Sequence, residues 1–410
     1  MLTIVSAESE TVVAPSRPRR RWAILAAGVL AQTAASSFVY GIPFLVPTLR
    51  DERGLSLAQV GVVVAAPTTG LLLTLVAWGF VVDRVGERFP MALGLGLAGV
   101  VVGAVALAPP TSLVAIALLL GFAGMGAASV NAASGRLIMG WFGVEERGVA
   151  MGIRQTAQPL GVALAALLLP VLAGSEGPFV ALGWTGLACL LAAGLVVVVA
   201  QDAPRRPPAP HEPTGSPYRT PTLYRLHAAS ALLVLPQFAI SAFALEYLVR
   251  EQHWSAGVAG VFVAVAQILG AAGRIATGWW SDRVGSRLRP MRQLAVASAL
   301  VMLGFALGSA WVPVIAVAAI VVGAIVTVAD NGLAFTSTAE MAGQAWSGRA
   351  LGVQNTTQNV VASAAPPVLG ALIGGTSYAI GFAVAALAPL VAVAVTPVGA
   401  ERRDAARSGS

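Results

Sequence analysis

Three ionisable side chains lie within long apolar stretches of the chain: Arg154, Arg274 and Asp330. An ionisable group inside a membrane span is expensive and marks a functional site by default. A guanidinium in such surroundings suits planar oxyanions, carboxylate or nitrate-like, through its paired N–H donors. Arg154 lies seven residues past Arg147, and Arg274 lies eight before Asp282. At 1.5 Å per residue both would sit about 10 Å deep from the same face. Equal depth would let the two arginines hold one anion if their spans are neighbours. The alternative is a buried structural pair of Arg274 with Asp330, which would leave Arg154 as the unpaired charge. Asp330 is also the deep candidate for carrying a coupling proton.

Amides accompany these charges. Met151, Arg154, Gln155 and Gln158 form one stripe, and Leu351, Gln354, Asn355 and Gln358 form another. Spacings of three, four and seven put each set on one helix face. Gln32, Ser36 and Tyr40 share a face, as do Gln237 and Ser241, and Asn331 follows Asp330 directly. Such stripes either hydrogen-bond helix to helix or line a substrate path. Their repetition favours the second. The expected substrate contacts are therefore Arg154, Gln155, Gln158, Arg274, Asn331, Gln354, Asn355, Gln358, Gln32, Tyr40 and Gln237. Arg136, Glu246 and Glu340 lie near span ends, where long side chains snorkel to the headgroups.

What positions these residues must be a membrane bundle. The 410 residues are 57% hydrophobic and only 10% charged, with a mean hydropathy of +0.80. A soluble domain carries about a quarter charged residues, so lipid is the expected solvent. Uncharged runs at 22–49 and 54–82 exceed the ~20 residues that span a bilayer. Runs at 89–135, 293–329 and 350–400 hold two spans each, divided by turn signals at Pro109-Pro110, at Pro313 and at Gly374-Gly375. Single spans at 148–172, 178–200, 226–249 and 256–281 bring the count to twelve. The expected division is a tail at 1–21, a six-helix half at 22–200, a linker at 201–222, a second half at 223–398 and a tail at 399–410. Arginines cluster before span 1, after spans 2, 6, 8 and 12, and seldom on the other side. The positive-inside rule then puts both termini and the linker in the cytoplasm.

The two halves repeat each other. GFVVDRVGER at 79–88 and GWWSDRVGSR at 278–287 agree at six of ten positions across an offset of 199. Ser56 and Gly61 fall on Ser255 and Gly260, and Asn131 on Asn331. The run 150–158 falls on 350–358. A constant offset through separated segments means duplication. Six spans per half make the repeats parallel.

On these motifs the chain resembles the major facilitator superfamily (MFS), whose loop signature G-x-x-x-D-R-x-G-x-R lies between spans 2 and 3 and is echoed between spans 8 and 9. The resemblance implies an all-α membrane protein of 6+6 helices, a secondary transporter working by alternating access. Gly79 and Gly278 would let a neighbouring helix approach closely. Asp83 and Asp282 sit at helix C-termini, where the macrodipole disfavours negative charge. The family pattern places their partners at the starts of spans 11 and 5. A cytoplasmic lock is expected there, Asp83 to Arg349 and Asp282 to Arg147, with Arg84, Arg88, Arg283 and Arg287 around it. The phrase GRIATGWWSD around Arg274 resembles carboxylate-transporting branches, in which an arginine at this place binds the anion.

Several functions are disfavoured. The chain has no lysine, so a GxxxxGK[ST] phosphate loop is impossible. The three histidines form no metal motif, no cofactor is expected, and an enzyme is not. Drug exporters of the superfamily carry an arginine early in span 4 and G-P-x-x-G-G in span 5; residues 115–128 hold no arginine, and 158–163 read QPLGVA. The expectation is a monomeric carrier of a small organic or inorganic anion in the cytoplasmic membrane, in contact with lipid and not with nucleic acid. A proton or counter-substrate is the coupling option. The alternatives are export of a drug-like, neutral or cationic metabolite and, in a different class, a receptor or channel.

Overall fold

In the computed structural model residues 18–142, 150, 153–202, 216–342, 346–399 and 401 are described. The first half holds α1 (Pro18–Val39), a 3₁₀ turn (Ile42–Leu45), α2 (Val46–Arg53), α3 (Leu57–Val85), α4 (Arg88–Leu107), α5 (Leu113–Trp141), α6 (Ala157–Glu176) and α7 (Pro178–Val199). The second holds α8 (Thr222–Arg250), α9 (Ala256–Val284), α10 (Leu288–Trp311), α11 (Pro313–Ala342), α12 (Ser347–Gly375), α13 (Tyr378–Ala385) and α14 (Leu387–Val395). The expected breaks fall at the turn signals, and the twelfth span is interrupted at Ala386.

Among the described residues, eleven helices are long and apolar enough to cross a membrane. The span expected at 350–375 forms as α12 but is not one of them. Gln354, Asn355, Gln358 and Asn359 lower its hydropathy, because this helix carries polar side chains for use inside the bundle. Backbone polar groups in lipid must be satisfied within the segment, which makes helices the only open choice here.

Packing obeys the repeat. In the first half α1 packs on α5, α6 and α7, α3 on α5, and α4 on α5 and α7. In the second, α8 packs on α11, α12 and α14, α9 on α11, and α10 on α11 and α13. Between halves, α3 meets α12 and α6 meets α9. These two contacts exchange under the same two-fold relation. The fold is thus two parallel six-helix repeats.

The halves touch at one end. Call proximal the end where α1 begins and α14 finishes, and distal the other. At the distal end Ser56 caps α3 in a capping box with Gln59, and Ser255 caps α9 through Val258 N–H. One turn on, a Cβ on Gly61 would stand 2.6 Å from Pro366 O, and one on Gly260 would stand 2.2 Å from Ala166 O. These duplicated glycines let helices of opposite halves approach backbone to backbone. The largest buried cluster accordingly runs from Phe38, Leu45 and Leu57 into Phe243, Val263 and Leu369. The proximal part of the second half, with Leu226, Leu233, Met291 and Leu333, is a separate cluster. Gly79 and Gly278 do not make the expected close approach here: a Cβ on either would meet no described atom of another helix within 4 Å. They sit at the proximal ends of α3 and α9.

Gly61→Val and Gly260→Val should each cost about 1–3 kcal/mol through overpacking. The expected outcome is a lower unfolding midpoint in detergent and faster maleimide labelling of a cysteine placed at Leu57, which is 4% exposed in the parent. Labelling no faster than in the parent would count against this role.

Candidate functional site

The distal end is closed by charge as well as by glycine. Glu246 of α8 is fully buried and accepts from Arg50 Nη1 of α2, while Arg250 Nε lies 3.6 Å from the same carboxylate. Arg250 Nη2 also donates to Asp51 and, at 3.1 Å, to Pro47 O. Four charges from the two halves thus interlock. Glu246 does not snorkel as expected; one partner, Arg250, lies a turn away on α8 and the other, Arg50, comes from α2, 196 positions away in sequence. Arg53 donates to Pro110 O at 3.3 Å and lies over the Phe179 ring at 4.7 Å.

At the proximal end each half ties its own loop. Asp202, just past α7, accepts from the backbone N–H groups of Glu87 (2.6 Å) and Arg88 (2.8 Å). Glu401, past α14, accepts from those of Arg287 (2.8 Å) and Leu288 (2.9 Å) and from the Ser286 hydroxyl. An acid on exposed helix N–H groups is favourable there, and both halves use the same device. Arg136 pairs with Glu87 at 3.5 Å, and Arg287 with Glu340 at 3.6 Å. Neither Arg136 nor Glu340 is a simple snorkelling residue.

The expected lock residues are distributed as follows. Asp282 pairs with Arg287 of its own phrase. Arg283 stacks over Trp279 at 3.5 Å, and Arg349 over Trp346 at 4.8 Å. Arg84 and Arg88 are exposed, and Arg88 Nη2 donates to Val197 O. Arg147 and the side chain of Asp83 lie outside the described residues.

Within the bundle, Arg154 occupies a helical turn just before α6. Its Nε donates to Ser134 Oγ of α5 at 3.0 Å, and its Nη1 donates to Gln155 Oε1 at 3.1 Å. Among the described residues it has no acidic partner within 4.0 Å. Arg274 of α9 is in the electrostatic field of Asp330 and of Tyr40. Arg274 and Asp330 form no ion pair within 4.0 Å, and Arg274 Nε and Asp330 Oδ2 are buried without hydrogen-bond partners. The close structural pair considered from sequence is therefore absent. No described contact joins the two arginines; each keeps its own neighbours.

The amides form a network in the second half. Asn331 Nδ2 donates to Gln237 Oε1 at 3.1 Å, and Gln358 Nε2 donates to Ser230 Oγ at 2.6 Å and towards Asn331 Oδ1 at 3.4 Å. Asn359 Nδ2 donates to Asn355 Oδ1 at 3.0 Å. Gln354 Oε1 accepts from His227 Nδ1, whose other ring nitrogen meets the Tyr218 hydroxyl at 3.0 Å. Burial, and then Tyr224, raise the Tyr218 phenol above its ordinary value, so it stays a donor. Gln354 and Gln358 are buried against α8 and α11, whereas Gln155 is exposed and Gln158 and Asn355 are half-buried. Gln32 lies 3.4 Å from Ser36, and the Tyr40 ring meets Phe238 edge-on at 6.2 Å.

Sequence reasoning missed His227, Ser230, Tyr218 and Ser134. His227 and Ser230 lie three and seven residues apart from the next members of the Gln237 face, a helical spacing that was readable. Ser134 follows Asn131 by three. Tyr218 carried no periodic signal, since it reaches α8 from the linker.

A two-fold repeat of six apolar spans, with the halves joined distally and polar side chains buried inside the bundle, is the architecture of a multi-pass membrane transporter. The chain belongs to the Major Facilitator Superfamily, whose sequence profile matches residues 25–366. It is 42% identical over 391 residues to an uncharacterised MFS-type transporter of Mycobacterium tuberculosis, covering 94% of this chain and 86% of that one. It is 25% identical over 277 residues to a hexuronate transporter of Bacillus subtilis, covering 63% of each. In fold it resembles the crystal structure of a bacterial homologue of the human lysosomal transporter Spinster in an inward-facing, occupied conformation. The TM-score is 0.79 at 16% identity, covering 93% of this chain and 97% of that one. The substrate is a small molecule, as the family requires, and transport rather than catalysis is the family's activity.

Glu246→Gln should destabilise the protein by about 2–3 kcal/mol, since it strips a buried charge-assisted hydrogen bond. Adding Arg50→Gln to it should recover part of the loss in a double-mutant cycle of detergent melting midpoints. Strictly additive losses would argue that Arg50 and Glu246 do not work as a pair.

Proposed function

We propose that this transporter carries a small hydroxylated carboxylate, of the sugar-acid kind, across the cytoplasmic membrane by alternating access. The observation that carries the reading is Arg154: a guanidinium within the bundle, held by a hydroxyl and an amide, with no acidic partner among the described residues. Neutral acceptors leave its charge available to an anion, which a carboxylate partner would have cancelled. Amides supply both donors and acceptors, a fitting set for substrate hydroxyls. The similarity to a hexuronate transporter supports the same class.

The proposed lining is Arg154, Gln155, Gln158, Arg274, Asn331, Asn355, Gln32, Tyr40 and Gln237, with Gln354 and Gln358 bracing it from behind through His227 and Ser230. Asp330 is the proposed proton carrier, its buried carboxylate being in the field of Arg274. The proximal end is read as cytoplasmic from the arginine distribution, with the half boundaries at 22–200 and 223–398. Closed distally and parted proximally, the helices then correspond to an inward-facing state. In the opposite state the proximal ends would meet, and the lock of Asp83 with Arg349 and Asp282 with Arg147 would form.

Purified protein in liposomes should take up D-glucuronate or D-galacturonate. Arg154→Gln should cut uptake at least tenfold, the weight of one charge-assisted contact. Asp330→Asn should abolish any acceleration by an imposed pH gradient. Full uptake by Arg154→Gln for these and other carboxylates would refute the anion reading.

A further inference from the structure

The duplication supplies an internal comparison at Arg154. Across the offset of 200, Arg154 corresponds to Gln354, Ser134 to Ala334, and Gly135 to Phe335, while the neighbouring Asn131 and Asn331 are the same. Three positions therefore differ together. Where the arginine stands, a hydroxyl and an open backbone stand beside it. Where glutamine replaces it, neither is kept, and Gln354 turns to His227 on another helix instead.

The geometry explains the coincidence. Ser134 is fully buried, and its Oγ accepts from Arg154 Nε at 3.0 Å. That bond closes the Nε edge of the guanidinium. Gln155 Oε1 takes one hydrogen of Nη1 at 3.1 Å. Nη2 carries no hydrogen bond among the described residues and is not among the buried unmatched atoms. Gly135 lies beneath the plane: a Cβ there would stand 3.9 Å from Cζ and 4.0 Å from Nη2. Ordinary contact would result from alanine, but a larger side chain, such as the phenylalanine of the other half, would occupy the guanidinium's place. A long arginine side chain has many rotamers open to it. A fixed hydroxyl on Nε removes much of that freedom before substrate arrives.

We propose that Ser134 and Gly135 form a seat that positions Arg154, so that a carboxylate is met end-on, across the Nη1 and Nη2 edge, and not through Nε. Ser134 is a positioning residue; it acts through the arginine and does not touch the substrate. This rests on the reading of Arg154 as the anion partner. The seat favours a planar carboxylate that can accept two parallel N–H bonds, and it makes affinity, more than turnover, depend on Ser134.

The test is D-glucuronate uptake into liposomes by four variants, with melting midpoints recorded for each. Ser134→Ala should raise KM about tenfold, as expected for a lost hydrogen bond to a charged group, with maximal rate within about twofold of the parent. Ser134→Thr keeps the hydroxyl and should restore KM to within about threefold. Gly135→Val should raise KM at least as much as Ser134→Ala. Arg154→Gln sets the floor. If Arg154→Gln loses uptake while Ser134→Ala keeps the parental KM, the seat is wrong and the anion reading stands. If Ala and Thr at 134 are equally defective, with lowered melting midpoints, Ser134 only packs the helices and the proposal is overturned. If Arg154→Gln transports normally, the anion reading falls and the seat falls with it.

Discussion

A polar group inside hydrocarbon has no water to fall back on. Every deep side chain in this chain is placed under that constraint, and the structure divides them into two kinds. Asn331, Gln237 and Gln358 are satisfied by other side chains on helices far away in sequence. Arg274 Nε, Asp330 Oδ2 and Gln354 Nε2 are buried and unmatched. Matched groups fasten helices. Unmatched ones cost free energy that a purely structural role does not recover, which is why they concentrate attention on spans 8, 10 and 11.

The duplication imposes a second constraint, and departures from it carry the information. Helix contacts, the serine caps, the distal glycines and the acid caps at Asp202 and Glu401 all obey the repeat. A transporter whose halves are framed alike can rock about a common axis with equivalent surfaces meeting in turn. The deviations sit in the interior: arginine against glutamine at 154 and 354, and Gln155 against Asn355. Frame is shared between halves, while chemistry is apportioned between them.

Much of the frame was legible in the sequence because it rests on long, local, periodic signals. Span positions, turn residues, the offset near 200 and the six-plus-six division all follow from hydropathy and self-comparison. The fastening was less legible. Glu246 finds Arg50 across 196 positions, and Asp202 finds the backbone of Glu87 across 115. No window of sequence holds both members of such a pair. In this structure the close approach expected at Gly79 and Gly278 is made by Gly61 and Gly260 instead, for a related reason. Composition marks a glycine as small, and only the crossing point of the helices decides whether smallness is used. Gly61 and Gly260 were already matched by the repeat, but nothing local set them apart. The amide stripes were found by spacing. Which of their members turn inward to α8 depended on His227 and Ser230, two residues on another helix.

The same logic bears on why an arginine serves at 154 where a lysine would also carry charge. A lysine ammonium is a point donor whose direction is set by whatever happens to surround it. A guanidinium can spend one edge on the protein and keep another for a ligand, because its donors point in fixed, different directions. The Nε bond to Ser134 and the Nη1 bond to Gln155 use that property: both acceptors are neutral, so orientation is fixed while charge is preserved. An acidic partner would have oriented the group just as well and removed the attraction. At the distal end the opposite choice is made. There Arg50 and Arg250 meet carboxylates, their charge is cancelled, and the pairs tie α2 of one half to α8 of the other. Neutral acceptors thus leave the charge of Arg154 intact, while acidic acceptors around Arg50 and Arg250 hold the halves together.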